Sequence, residues 1–322
     1  MDAIDAFLRR YPASPIVLDV LGTLAADEIR ARVHELDPDA REIFFFAASV
    51  GALFGVLRSN GSRVAMKIHK RLNDEAYLVQ MQQVQAALAD SGFPAPRPLG
   101  RRGLVVWEEW LDDGMFRDAH EPEVRVAMAQ ELRRFHVVAT ATGVRPRRPF
   151  LSPPETLWPR PHNALFDFES TAAGAEWIDE IARTARGVPA AGAEVVGHTD
   201  WSVKHLRFDA ALCVTAVYDW DSVTTELEPV LVGTAAGSFT YTEELEPEMV
   251  VWPAAEESLA FIAEYERERG EPFTRVERDS ALAATVYLRA YAARCQHAYA
   301  GDARSSGLDA FADELLARVG SA

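Results

Sequence analysis

Between Val195 and Ser222 the chain reads VVGHTDWSVKHLRFDAALCVTAVYDWDS, with His198, Asp200, Lys204 and His205 in one polar segment and Asp219 and Asp221 behind an apolar run. Two carboxylates set apart in this way suit phosphoryl transfer, which asks a protein for positioning and charge neutralisation more than for covalent chemistry. One would orient an acceptor hydroxyl and take its proton, and the other would hold a cation bridging phosphates. A His-x-Asp triplet by itself is common, and His198 alone reads as a buried loop histidine. The triplet joined to the apolar run and the second carboxylate is what points to a site.

Positioning them needs short strands. Leu206 to Asp209 and Leu212 to Tyr218 read as a hairpin turning near Asp209 and Ala210, which would bring both carboxylates to strand ends facing one cleft. Upstream, three apolar stretches, Ile43 to Val50, Leu53 to Leu57 and Arg63 to His69, read as strands, with Asn60-Gly61 as a hairpin turn. The third places Lys67 in an alternating apolar strand, where a buried ammonium needs a partner charge; an edge-strand lysine with its head in water is the alternative. Ser49 and Gly51 form a small-residue turn whose N–H groups could approach a phosphate, although a plain hairpin glycine accounts for it too.

These residues resemble the aminoglycoside phosphotransferase-like branch of the protein-kinase superfamily, whose catalytic loop reads H-x-D-x-x-x-x-N and is followed by a hairpin ending in I-D-x-x. His198, Asp200 and Asp219 match it position by position. The resemblance implies a two-lobed α+β fold, with an extension and nucleotide-binding lobe over residues 1–110 and a mostly helical lobe over 111–322. It implies transfer of the γ-phosphoryl group of ATP or GTP, with Mg²⁺ or Mn²⁺, to a hydroxyl of a small molecule. Asp200 would be the catalytic base, Asp219 the metal ligand and Lys67 the grip on the phosphates. A helix glutamate would pair with Lys67, for which Glu75 is the candidate and Gln80 or Gln82 the alternatives. The Glu109 carbonyl and Leu111 amide would read the base. Trp252, Phe261, Tyr265, Tyr287 and Tyr291 would line an acceptor pocket or serve as core.

One departure matters. Where the family pattern has asparagine, this chain has His205, and imidazole suits softer divalent metals than Mg²⁺. His205 could ligate a metal, the enzyme could work with one metal on Asp219, or a nucleotide- or metabolite-binding protein without turnover could remain. Lys204 offers a second way to neutralise phosphate charge.

The rest of the chain bounds the reading. Its 322 residues are 48% hydrophobic and 25% charged, enough for a sizeable core. A formal net charge of −16 argues against a nucleic-acid partner and is compatible with a cationic acceptor. No apolar run is long enough to span a membrane, and the start does not read as a signal peptide. The two cysteines, Cys213 and Cys295, read as reduced core residues of a cytoplasmic protein. Helices are expected over Ala25 to Leu36, Asn73 to Asp90 (capped by Asn73), Glu121 to Val138, Ala175 to Ala185, Ala254 to Gly270, Thr274 to Tyr299 and Ser306 to Val319, with a turn over Glu228 to Gly233. His136 reads as structural, and the acid run Glu243 to Glu248 as a solvated face.

Overall fold

The computed structural model describes residues 2–70, 74–147, 155–163, 165–242 and 251–320. Helices α1 (Ala3–Arg10), α2 (Pro15–Leu21) and α3 (Ala26–Leu36) precede an antiparallel hairpin ladder of β1 (Ala40–Ala48), β2 (Gly51–Arg58) and β3 (Arg63–His69). Pro15 opens α2, because proline lacks only an N–H that the first turn leaves unpaired. Helix α4 (Glu75–Asp90) then leads to β4 (Pro98–Arg102) and β5 (Val105–Glu109), and the five strands form one sheet in the order β1-β2-β3-β5-β4. Asn73 lies outside the described residues; the α4 cap is Asp74, whose side chain accepts from Tyr77 N–H at 2.6 Å.

Strand alternation decides what the sheet presents on each face. Val64, Met66 and Ile68 of β3 join Phe54, Val105 and Trp107 in a core shared with α1–α3. Ala65, Lys67 and His69 point to the opposite face, and so do Val106 and Glu108 of β5, the partners of Lys67 and Ala65 in the β3–β5 register. That second face looks onto the rest of the molecule.

There the elements are α5 (Pro122–Ala141), α6 (Glu176–Arg186), β6 (Glu194–His198), β7 (Leu206–Phe208), β8 (Val214–Val217), β9 (Val223–Leu227), α7 (Glu228–Ala236), α8 (Ala255–Arg269), α9 (Arg275–Ala300) and α10 (Leu308–Leu316). A second core joins α4 to these helices through Leu78, Met81, Phe135, Trp201, Trp220 and Phe239. The architecture is α+β, as expected, with the sheet at one end and the helices massed at the other.

Three expectations are corrected. Glu228 to Gly233 is the start of α7, not a turn: Pro229 fits its first turn, and Gly233 lets it approach α9 so closely that a Cβ there would lie 2.0 Å from the Ala281 carbonyl oxygen. Cys213 is exposed, in the β7–β8 turn where Leu212 takes a left-handed conformation (φ 63°). The two carboxylates do not share one hairpin: β6 pairs with β9, while β7 pairs with β8. The acid run Glu243 to Glu248 lies outside the described residues. No described helix is long and apolar enough to cross a membrane.

Candidate active site

Lys67 leaves the sheet on the helix-facing side, and its Nζ lies 2.7 Å from Asp219 Oδ1 and 2.6 Å from Asp221 Oδ1. Burial alone would push the ammonium pKa down, but the two carboxylates outweigh it and hold Lys67 charged. The helix glutamate takes no part. Glu75, at the first position of α4, pairs instead with Arg101 at 2.8 Å on the surface. Gln82 donates to the Gly100 carbonyl. What α4 offers is Tyr77, whose hydroxyl donates to the backbone carbonyls of Asp221 (2.8 Å) and Val223 (2.9 Å) and so pins the acidic segment.

That segment is a tight turn. Asp219 sits in the left-handed region (φ 62°, ψ 51°) and Trp220–Ser222 forms a short 3-10 helix. A non-glycine residue there costs on the order of 1 kcal/mol, which the surroundings must offset. They do: the Ser222 hydroxyl donates to Asp219 Oδ2 at 3.0 Å, and the Trp220 indole donates to the Val217 carbonyl at 2.9 Å and stacks on Phe135. Burial would raise the Asp219 pKa; the charges of Lys67 and His205 instead hold it well below the usual carboxylate range.

The third part is the loop after β6. His198 is buried, its Nε2 donates to the Tyr218 carbonyl at 3.1 Å, and its Nδ1 accepts the Asp200 N–H at 3.2 Å, an arrangement only the neutral ring can make. Burial accordingly lowers its pKa to about 4. The ring thus joins the Asp200 loop to the residue before Asp219. Asp200 Oδ2 lies 3.0 Å from His205 Nε2 and 3.3 Å from Lys204 Nζ, and these neighbours overcome desolvation to keep the carboxyl ionised. His205 Nε2 also lies 3.9 Å from Asp219 Oδ2. One ligand atom each of Asp200, His205 and Asp219 falls within 4.8 Å of the others, a span that one divalent cation fits.

These groups meet at a cavity of about 480 Å³. Lys67, Lys204, His205, Asp219 and Asp221 form its polar end, and Phe45, Leu53, Ala65, Met81 and Leu111 its apolar part. Glu109 and Leu111 lie on its rim, where Tyr218 Oη donates to the Leu111 carbonyl at 3.0 Å. Ser49 and Gly51 are not in its lining: they close the β1–β2 turn, with Ser49 N–H on the Gly51 carbonyl, and Gly51 lets β2 approach β3, since a Cβ there would meet the Ile68 carbonyl oxygen at 2.7 Å. Of the aromatics expected near an acceptor, Phe261 and Tyr265 are fully buried core, and Tyr287 stacks on Trp158. Trp252 stacks on Tyr241, whose other neighbour is Lys204, 4.8 Å from the ring centre.

Sequence reasoning assigned no role to Asp221, His69, Tyr77 or Glu108. His69 Nδ1 lies 3.5 Å from Asp221 Oδ2, and Glu108 faces the cavity. The signal was present for Glu108, an acid at an inward position of an apolar strand. For Tyr77 nothing local marks a hydroxyl that reaches another lobe.

Solved structures share this fold. An amicoumacin kinase in complex with AMP-PNP and Ca²⁺ is 13% identical over 91% of this chain and 96% of its own, with a TM-score of 0.61. An aminoglycoside phosphotransferase in ternary complex with ADP and hygromycin B is 11% identical over 91% and 99%, with a TM-score of 0.57. An ethanolamine kinase of Plasmodium vivax is 12% identical over 98% and 94%, with a TM-score of 0.53. The fold is therefore that of the two-lobed, protein-kinase-like small-molecule kinases. Residues 49–226, more than half of the chain, match the model of the phosphotransferase enzyme family (APH), and the chain belongs to that family. No curated protein sequence matches it.

Proposed function

We propose that this protein transfers the γ-phosphoryl group of ATP or GTP to a hydroxyl of a small molecule. The observation that carries the reading is the meeting of Lys67, from the sheet, with Asp219 and His205 at one cavity, with Asp200 placed 3.0 Å from His205. Asp200, held ionised by Lys204 and His205, accepts a hydrogen bond from the acceptor hydroxyl and takes its proton as the new O–P bond forms and the bond from the γ-phosphorus to the β–γ bridging oxygen breaks, releasing the nucleoside diphosphate. Lys67, kept charged, binds phosphate oxygens. Lys204, beside Asp200, faces the charge that develops on the transferred group. Asp219 and His205 would hold a divalent cation, Mg²⁺ or Mn²⁺, which when bound neutralises phosphate charge. The relatives' complexes with AMP-PNP and ADP support a nucleotide donor, and the net charge of −16 favours a cationic acceptor.

A second reading, a nucleotide-binding protein without turnover, is favoured by one contact: His205, in the position of the expected asparagine, lies against Asp200 at 3.0 Å. A thermal-shift titration with ATP and GTP, each with Mg²⁺, Mn²⁺ or chelator, tests the nucleotide site. Phosphate transfer to a panel of amino alcohols and aminoglycosides, with Asp200→Ala as control, then separates the readings. An enzyme loses on the order of 10²–10⁴-fold in turnover at unchanged nucleotide affinity. Absence of any metal-dependent nucleotide shift would sink the proposal.

A further inference from the structure

We propose that Glu108 reads the purine base of the bound nucleotide and makes the site select adenine over guanine. The proposal rests on the nucleotide-dependent reading above and adds the identity of the donor.

The placement follows from the sheet. In the β3–β5 register Lys67 lies opposite Val106 and Ala65 opposite Glu108, so all four side chains share the cavity face. Glu108 is thus displaced from Lys67 by one two-residue repeat, roughly 7 Å along the strand. Lys67, with Asp219, marks the phosphate end of the cavity; Glu108 lies away from it, where the chain continues into Glu109 and Leu111 on the rim. Ala65 on β3 and Leu53 on β2 leave a flat apolar wall, and Phe45, Met81 and Leu111 complete a slot suited to a planar ring. Glu108 brings a carboxyl to the side of that slot.

Nothing in the fold requires a carboxyl there. Val106, on the same face of β5, is apolar, and burying a carboxylate is costly unless donors complete it. Among the described residues the Glu108 carboxyl has one hydrogen-bond partner, Gln85, whose Nε2 donates to Oε2 at 2.5 Å. The nearest ammonium, Lys67, is committed to Asp219 and Asp221. Burial pushes the Glu108 pKa up to about 7, against the Gln85 hydrogen bond and the Lys67 charge. Oε1 is left to a donor from the ligand.

The bases differ in what they can give it. Adenine carries an amino group at C6, which donates; guanine carries an oxo group there, which would set lone pair against lone pair. Guanine could offer N1–H and its 2-amino group to a carboxylate through two oxygens, but Gln85 already donates to Oε2, which leaves Oε1 as the unpartnered oxygen among the described residues. A single acceptor matches a single 6-amino donor.

The test is isothermal titration of the full chain at pH 8 with ATP, GTP and ITP, the last having the 6-oxo group without the 2-amino group. ATP is expected to bind at least about tenfold more tightly than either, the difference one hydrogen bond and one avoided repulsion supply. Glu108→Gln, whose amide can turn either its oxygen or its N–H to the base, should bring the three affinities within about threefold of one another. Equal affinities in the wild type, preference for GTP, or an unchanged ratio in Glu108→Gln would overturn base reading while leaving the phosphotransferase proposal standing. Failure of every nucleotide to bind would overturn both. Should Glu108→Gln fail to fold, Glu108→Ala in the same three titrations carries the test: a lost ATP preference is expected, and an unchanged one would overturn the role of Glu108.

Discussion

Lys67 and Asp221 stand 154 residues apart in the chain and 2.6 Å apart in the fold. The carboxylate is nearly inaccessible, touches His69 as well, and has its backbone carbonyl anchored by Tyr77 from α4. The lysine of the sheet is therefore oriented by the segment that also carries Asp219, rather than by an acid on α4. Removing the cation leaves the buried Asp221 carboxylate facing the half-buried one of Asp219, so Lys67→Met should cost about 3 kcal/mol in urea denaturation. Asp221→Asn, which leaves Lys67 its contact with Asp219, should cost clearly less. Equal losses would show that the pair with Asp219 carries no weight.

The metal preference should follow His205. An imidazole beside Asp219 favours Mn²⁺ over Mg²⁺, and His205→Asn restores an oxygen donor that suits Mg²⁺. The Mn²⁺-to-Mg²⁺ ratio of half-saturating concentrations, read from ATP-dependent thermal shifts, should move by about tenfold toward Mg²⁺ in the variant. An unchanged ratio would remove His205 from the metal site.

His136 makes stability sensitive to mild acid. Tyr265 donates its proton to Glu228 at 2.7 Å and so accepts from His136 Nδ1–H at 2.7 Å, while His136 Nε2 is buried with no hydrogen-bond partner among the described residues. Burial lowers its pKa to about 3 from an ordinary 6.5. With the folded value depressed, its contribution is complete above pH 6.5 and is lost as pH falls toward 3, because the unfolded chain takes up the proton first. Between pH 7 and 5 the loss is about 2 kcal/mol. His136→Gln should flatten that part of the pH profile in denaturant titrations; a parallel profile would place the sensitivity elsewhere.

The contact between α7 and α9 is made at Gly233, where any side chain meets the Ala281 backbone. Gly233→Ala should therefore destabilise by about 1–3 kcal/mol through separation of the two helices, although alanine is the better helix former. A stabilised variant in thermal denaturation would contradict the close approach.

Residue by residue, legibility tracked range. Lys67 was visible because an ammonium in an alternating apolar strand breaks the local rule, and His198, Asp200 and Asp219 because their spacing is carried by a short loop and strand. Glu75 misled, since the only glutamate on α4 need not face the sheet; in the first turn it pairs with Arg101. Pro229 and Gly233 read as a turn because both disfavour helix interiors, and only the packing of α7 against α9 reveals why a helix tolerates them. Phe261 and Tyr265 carried a helical period that core and pocket residues share, and burial places them in the core.

By itself the sequence determined the α+β character, the strand that presents Lys67 and the segments that carry Asp200 and Asp219, because strand alternation, turn residues and helix periodicity act over a few neighbours. Which groups meet was decided by tertiary structure alone. The pairing of β6 with β9, the hydroxyl of Tyr77 across to Asp221, and the choice of Asp221 over Glu75 for Lys67 all join residues far apart in the chain. A buried charge must find its partner in three dimensions, and no local pattern says which one will be within reach.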